Sequence, residues 1–254
     1  MLKPETERLW VFLQQQPALA GFVLLGGSAL AIHLRHRFSE DLDLAYPAER
    51  LPRGRLDALR RLSRAAAFDF QPNDNPTALA QFADSGLELH DYQQDYLVNR
   101  TMKVSFFAPE PEVLAVLDKV PPGAGPRLGA LGELFRTKCL ISARRSRSRD
   151  WFDLYVLMTR GGYTLRDFRQ AFKTAGLAGQ ADSALERLCS GQPHAADEGF
   201  EPVESGAPSV AQMAQFFRAQ RQASERGEAA CRCRSTARRR RSPRTIAARD
   251  GFRG

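Results

Sequence analysis

The chain has 254 residues, of which 43% are hydrophobic and 26% charged, the proportions of an ordinary globular protein with length for one or two domains. Its net charge of +8 is unevenly distributed, because twelve arginines and three acidic residues follow position 217. The first 217 residues are therefore close to neutral, and the basicity belongs to the C-terminal tail rather than to the body.

The four cysteines, at positions 139, 189, 231 and 233, are too few and too irregularly spaced for a disulfide scaffold or a structural zinc site. This usage favours a reducing cytoplasm. The first eight residues have mixed charge and do not form a secretory signal. The longest apolar run, 18–32, contains three glycines and is shorter than the ~20 residues that cross a bilayer. We expect a cytoplasmic protein without a membrane segment.

The N-terminal half has the patterns of a mixed sheet with helices. Amphipathic spacing predicts helices at Pro4–Gln16 and Arg50–Ala67. Between them, Gly21–Ala45 predicts a buried strand, a tight turn, a helix and a second strand. Beyond position 67, short apolar segments between polar clusters predict four more strands: Phe68–Phe70, Leu87–His90, Tyr96–Val98 and Met102–Phe107.

The C-terminal half has helical periodicity instead. Thr164 and Asp167 have the spacing of a capping pair at one helix start. The pattern predicts five helices: Glu133–Arg145, Asp150–Thr159, Thr164–Ala175, Gln180–Leu188 and Ser209–Ala223. From 225 onward apolar periodicity is absent, which is typical of disorder. We therefore expect an α+β fold with a sheet domain at 1–120, a helical domain at 121–224 and a disordered arginine-rich tail at 225–254.

The stretch Gly21–Ala45 carries the strongest chemical signal. Gly26 and Gly27 allow positive φ and a close approach of backbone to ligand, and Ser28 is placed to cap the following helix. Asp41 and Asp43 are two residues apart, so on a strand they project to one face while Leu42 and Leu44 face the core. Two carboxylates beside a small-residue turn are suited to a magnesium–triphosphate.

Gly-Gly-Ser, a gap of twelve residues and Asp-Leu-Asp together resemble the signature of the DNA-polymerase-β-like nucleotidyltransferase superfamily. The resemblance implies that Gly26, Gly27 and Ser28 hold the phosphates of a nucleoside triphosphate. It also implies that Asp41 and Asp43 are catalytic and bind two Mg²⁺ ions. An Asp-x-Asp pair also occurs in metal-dependent glycosyltransferases, which do not need this turn, and the glycines lack the Gly-Lys-Ser/Thr of a P-loop.

The stretch from Leu24 to Leu44 is similar, more narrowly, to the first motif of the AbiEii/AbiGii-type nucleotidyltransferase toxins. In that family an Arg-x-Ser precedes the aspartates, matching Arg37 and Ser39, which implies nucleotide binding by both. The strand Lys103–Phe107 and the segments 133–138 and 149–155 resemble later motifs of the same family. The resemblance covers about 20–160, and we expect the helices to about 223 to belong to it.

The later motifs contain Lys138, Asp150 and Asp153. The family resemblance implies that Lys138 is catalytic and faces phosphate, and that the two aspartates belong to the nucleotide site. Asp153 lies among apolar neighbours, and a buried unpaired carboxylate is costly, so it needs a cationic partner. Lys138 or an arginine of 144–149 is the natural candidate, and the pair either serves the site or only fixes helix packing.

The sequence departs from the superfamily pattern in one respect. Active members usually carry a third carboxylate on a later strand. The strand Met102–Phe107 contains Lys103 and Ser105 but no acid. Glu88 or Asp91 would complete the site if either side chain faces it. Without a third acid, metal and nucleotide binding are the firmer expectation.

These observations predict a Mg²⁺-dependent nucleotidyltransferase that moves a nucleoside monophosphate from an NTP to RNA, such as a tRNA 3′ end, or to a protein hydroxyl. The resemblance implies the toxin half of a toxin–antitoxin or phage-defence pair, with a cognate antitoxin as partner. The alternative is a non-catalytic module of the same fold that binds nucleotide or RNA. The arginine run 238–241 either binds RNA phosphates or has no function.

Overall fold

A computed structural model describes residues 1–240, with side chains as far as Arg226. Six strands lie in this part of the chain: β1 (Val23–Leu25), β2 (Leu42–Ala45), β3 (Phe70–Pro72), β4 (Gln93–Val98), β5 (Met102–Phe107) and β6 (Arg127–Leu128). The helices are α1 (Pro4–Gln14), α2 (Gly26–Leu34), α3 (Arg53–Ala65), α4 (Pro76–Asp84), α5 (Pro111–Leu114), α6 (Leu131–Arg144), α7 (Ser148–Arg160), α8 (Leu165–Thr174), α9 (Ala181–Ser190) and α10 (Val210–Arg240). The predicted α+β class is confirmed.

All six strands belong to one mixed sheet with the order β3-β4-β5-β2-β1-β6. The neighbours β1 and β2 are antiparallel, whereas β2 and β5 are parallel. β2 therefore lies inside the sheet, and Asp43 is in register with Leu25 on one side and with Ser105 on the other. This register puts the second aspartate beside the end of β1, where the glycine turn begins.

The two faces of the sheet differ because side chains alternate along each strand. Leu42, Leu44, Val104 and Phe106 are buried in the core, as the sequence predicts for the two leucines. Residues between them, including Asp43, Ser105 and Phe107, are only partly buried. One face of β2 and β5 therefore packs in the core, and the other presents the candidate site.

The segment between β3 and β4 differs from the prediction. No strand forms at Leu87–His90, where one was predicted. Leu87 and Glu88 are exposed, and a short 3-10 turn begins at Leu89 and ends at Asp91. The preceding helix α4 is absent from the prediction. It is nine residues long, and none of its residues is buried. Its start is set locally, since Asn75 Oδ1 accepts a hydrogen bond from the Thr77 N–H at 2.9 Å.

The C-terminal helices follow the prediction closely. Thr164 caps α8, and Asp167 Oδ2 accepts the Thr164 N–H at 2.8 Å, which confirms the predicted pair. α10 does not end near 223 but continues to Arg240. The additional segment contains several arginines and alanines, which have high helix propensity. The predicted disordered tail 225–254 begins inside α10, and its last part, 241–254, lies outside the described residues.

The predicted division at 120 stays a prediction. Strand β6 lies beyond that position and pairs with β1, and one cluster of buried side chains includes residues from the sheet and from α6 to α10. Within residues 1–240, no helix is both long and apolar enough to cross a membrane.

Candidate active site

The glycine turn joins β1 directly to α2, which begins at Gly26 with Leu25 as its N-cap and without a side-chain cap. The prediction that Ser28 caps this helix is therefore wrong. Ser28 is fully buried; its hydroxyl donates a hydrogen bond to the Asp41 carbonyl and lies 3.0 Å from Ser39 Oγ. Ser28 thus ties α2 to the segment that carries the first aspartate.

Neighbouring side chains leave no room for a Cβ atom at Gly26 or Gly27. Gly26 has φ +70°, and a Cβ at this position would overlap the Asp43 carboxylate. A Cβ at Gly27 would overlap the Arg37 guanidinium and lie 3.1 Å from Ser39 Oγ. The turn therefore consists of glycine because charged side chains of the site press against its backbone.

Asp41 and Asp43 are partly buried and line the same small cavity, of about 70 Å³, as Gly26 and Gly27. Within the described residues, neither carboxylate has a hydrogen-bond donor or an ion-pair partner. Burial and the neighbouring charge of Asp41 raise the pKa of Asp43. Two adjacent carboxylates that form no hydrogen bond or ion pair of their own are a suitable donor set for a divalent ion.

The residues present fit magnesium held jointly with a substrate. Mg²⁺ commonly binds through one or two carboxylates together with substrate phosphates. Among the side chains described, no group of three or more histidines, cysteines or acids is arranged to hold a metal. Asp41 and Asp43 therefore suit an ion that shares its remaining coordination with water and phosphate.

Asp153 is fully buried and lies at the centre of a charge network behind this cavity. Arg37 donates to both of its carboxylate oxygens, at 2.6 and 2.9 Å. Lys138 Nζ lies 2.6 Å from Oδ2, and His36 Nε2 lies 2.7 Å from Oδ1. The predicted cationic partner is thus Lys138, joined by two residues from the loop after α2 and not by an arginine of 144–149.

Asp150 forms the second half of the network. Its carboxylate accepts from Lys138 at 2.6 Å and from Arg145 Nε at 2.8 Å. Lys138 is only 3% exposed, so its ammonium lies between the two aspartates. Burial alone would raise the pKa of Asp153, but Lys138, Arg37 and His36 hold that pKa well below its ordinary value.

The structure brings most of the sequence-predicted site residues to one place. Seven line the small cavity: Gly26, Gly27, Arg37, Ser39, Asp41, Asp43 and Lys138. Ser28, Asp150 and Asp153 are buried and hold residues of that cavity in position. Two cations of the cavity wall, Arg145 at the end of α6 and Arg149 in the first turn of α7, were not predicted as site residues.

Comparison with known proteins shows the family of the chain. Residues 8–226 match the family described as nucleotidyl transferase AbiEii toxin, type IV TA system. The chain belongs to the AbiEii family. This family is one of nucleotidyltransferase toxins from type IV toxin–antitoxin systems, as the sequence motifs imply.

Two solved structures from Helicobacter pylori are similar to this AbiEii-family chain. One, JHP933, shares 17% identity, covers 91% of this chain and 100% of its own, and has a TM-score of 0.44. The other, a putative nucleotidyltransferase, shares 18% identity, covers 84% and 93%, and has a TM-score of 0.42. No curated protein matches the chain.

The AbiEii-family site departs from a three-carboxylate arrangement at Ser105, which stands opposite Asp43 on the neighbouring strand. Glu88 is exposed, and Asp91 binds Arg50 and Arg53 at 3.2 Å each. Neither acid lines the cavities that Asp43 lines. Asp95 is the next acid on this face, one strand further across from Ser105.

Replacing Gly26 with alanine tests the close fit of the turn. Gly26→Ala combines an unfavourable positive φ with displacement of the Asp43 carboxylate, whereas Gly86→Ala has the same φ of +70° and nothing within 4 Å. We expect Gly86→Ala to lower the free energy of unfolding by about 1–2 kcal/mol, and Gly26→Ala to lower it further. Urea denaturation of both variants measures the difference, and equal losses would contradict the overlap.

Asp153→Asn tests the buried network. It leaves Arg37 and Lys138 without their shared counter-charge, and breaking a buried pair costs about 3–5 kcal/mol. The matched control is Asp57→Asn, whose exposed pair with Arg60 at 3.7 Å contributes no more than about 1 kcal/mol. A loss for Asp153→Asn no larger than for Asp57→Asn in urea denaturation would show that the network does not stabilise the fold.

The same network predicts a direction for acid unfolding. The folded-state pKa of Asp153 lies below its ordinary value, so its stabilising contribution is present above the unfolded-state pKa and disappears as the pH falls through the folded-state pKa. We expect the wild type to lose stability steeply below about pH 4, and Asp153→Asn to lose less over that range. Parallel pH dependence in the two proteins would refute this origin.

Proposed function

We propose that the chain transfers a nucleoside monophosphate from a nucleoside triphosphate to an acceptor hydroxyl and releases pyrophosphate. The observation that carries the proposal is the single cavity lined by two carboxylates without ion-pair partners, a glycine turn and cationic side chains. A magnesium–triphosphate needs these three features together, since it presents a divalent cation and several anionic oxygens at once.

Each part of the cavity has a role in this proposal. The N–H groups at the start of α2 and the side chains of Arg145 and Arg149 bind the β- and γ-phosphates. Lys138 adds positive charge at the cavity wall. Asp150 and Asp153 hold Lys138 and Arg37 in position through their ion pairs. Asp41 and Asp43 hold Mg²⁺, which supplies charge neutralisation and Lewis-acid activation of the phosphoryl group.

The reaction is an in-line displacement at the α-phosphorus. The acceptor oxygen forms a bond to this phosphorus, and the bond from phosphorus to the bridging oxygen of pyrophosphate breaks. The hydroxyl proton is released to solvent. The positive charge of Arg145 and Arg149 stabilises the negative charge that develops on the leaving pyrophosphate.

For the acceptor we propose an RNA end, such as a tRNA 3′ end, or a protein hydroxyl. The toxin family supports this choice because modification of an essential macromolecule arrests growth. The same family supports a cognate antitoxin protein as the partner of the chain.

A second candidate function is nucleotide or RNA binding without transfer. The observation in its favour is Ser105, which occupies the position opposite Asp43 where a third carboxylate would assist deprotonation. Binding of Mg²⁺–NTP without transfer to any RNA or protein would support this candidate over the enzyme.

Incubation with labelled NTPs, Mg²⁺, total RNA and cell protein tests the proposed transfer. The double variant Asp41→Asn/Asp43→Asn keeps the shape of both side chains and removes their negative charge. We expect transfer to fall by about 10²–10³-fold or more, the range for loss of a preorganised electrostatic contact at a transition state. The control is Glu88→Gln, an exposed acid outside the cavity, which should retain wild-type transfer.

Transfer that persists in the Asp41/Asp43 double variant would refute the mechanism. Loss of transfer in Glu88→Gln would instead show that this exposed acid completes the site. Circular dichroism of the double variant and of Glu88→Gln excludes unfolding as the cause of any loss of transfer.

A further inference from the structure

A second, larger cavity lies beside the carboxylates, on the open face of the sheet. Its volume is about 690 Å³, and Asp43 and Ser105 form part of its wall. Because Asp43 also lines the small cavity of the glycine turn, the two cavities meet at this residue. A molecule in the larger cavity therefore reaches Asp43, one of the two carboxylates proposed to hold Mg²⁺ beside the reacting phosphate.

Three aromatic side chains line this larger cavity: Phe82, Tyr92 and Phe107. All three are only partly buried, so each ring offers surface to a ligand. Phe107 follows Ser105 by two positions on β5 and shares its face of the sheet. Phe82 and Tyr92 contact each other, with ring centroids 5.6 Å apart. Flat, partly exposed rings around a cavity are suited to stacking with a nucleobase.

The charges of the two cavities are opposite. The small cavity is lined by four cations, Arg37, Lys138, Arg145 and Arg149, against the two acids Asp41 and Asp43. The larger one has three acids, Asp43, Glu49 and Glu110, and a single cation, Arg144, which pairs with Glu110. A triphosphate is attracted to the first and repelled by the second. The larger cavity is therefore suited to an uncharged part of a ligand.

The geometry of phosphoryl transfer then indicates which ligand binds in the larger cavity. In an in-line displacement the attacking oxygen approaches the phosphorus from the side opposite the leaving group. The pyrophosphate lies on the cationic side of Asp43, so the attacking hydroxyl enters from the side of the larger cavity. We propose that this cavity binds the terminal nucleoside of an RNA acceptor, with its base stacked on Phe107 and Tyr92 and its hydroxyl directed toward Asp43.

This inference rests on the proposed transferase function and narrows its acceptor to RNA. A serine or threonine hydroxyl has no flat ring to occupy the aromatic cavity; a tyrosine acceptor has one, and it is the alternative that an absence of RNA binding would favour. Helix α4, which contributes Phe82, has no buried residue and packs on the turn that precedes Tyr92. The part of the cavity wall that α4 contributes therefore lies outside the buried core.

Binding measurements on the full chain test the proposal separately from catalysis. The probe is a 5′-labelled RNA hairpin with a four-nucleotide single-stranded 3′ end, together with the same RNA lacking its terminal base. Affinity is measured by fluorescence anisotropy, and Mg²⁺–NTP affinity by calorimetry. The proteins are wild type, Phe107→Ala, Tyr92→Ala and the control Leu62→Ala, an exposed apolar side chain of α3.

We expect Phe107→Ala and Tyr92→Ala each to weaken binding of the intact RNA about 5- to 150-fold and to leave Mg²⁺–NTP affinity unchanged. Removal of the terminal base should weaken wild-type binding by a similar factor and have little further effect in either variant. Leu62→Ala should match the wild type in both assays. Circular dichroism of all variants identifies any loss of folding.

Other outcomes overturn the assignment. Weaker NTP binding with intact RNA binding would place the donor base in the cavity. No RNA binding by a wild type that binds Mg²⁺–NTP would favour a protein acceptor or another ligand. Absence of both Mg²⁺–NTP binding and transfer in the wild type would refute the proposed function itself, whatever the RNA result.

Discussion

The buried charge network of Asp153, Asp150, Arg37 and Lys138 is the interaction on which the candidate site depends. Two aspartates from α7 neutralise a lysine from α6 and an arginine from the loop after α2. A buried ion pair is weak evidence for stability as such, because desolvation offsets much of the attraction. Its clearer consequence is geometric, since it holds the loop before Asp41 against the helical half.

That loop connects the network to the two carboxylates of the candidate site through short contacts. Arg37 lies against Gly27, Ser39 lies against Ser28, and the Asp41 carbonyl accepts from the buried Ser28 hydroxyl. Asp43 reaches the same place independently, through its register with Leu25 in the sheet. The two aspartates are thus positioned by different parts of the fold, one by the charge network and one by strand pairing.

The shared position of Asp43 gives the site two chemically distinct sides. On one side, cations and the start of α2 face a small cavity suited to phosphates. On the other, partly buried aromatic rings face a larger cavity with acidic residues on its wall. Opposite charge on the two sides provides a physical basis for distinguishing a triphosphate from the uncharged end of an acceptor.

The sequence alone determined the order of most elements, the α+β class and the family, because periodicity, glycine placement and spaced carboxylates are local properties. It also predicted that Asp153 needs a cationic partner, from the cost of burying a charge. Only the tertiary structure decided that Arg37 and His36 join Lys138 there, that Ser28 supports Asp41 instead of capping α2, and that Glu88 and Asp91 lie apart from the site. Those outcomes depend on contacts between residues as much as 117 positions apart, and no local pattern records them.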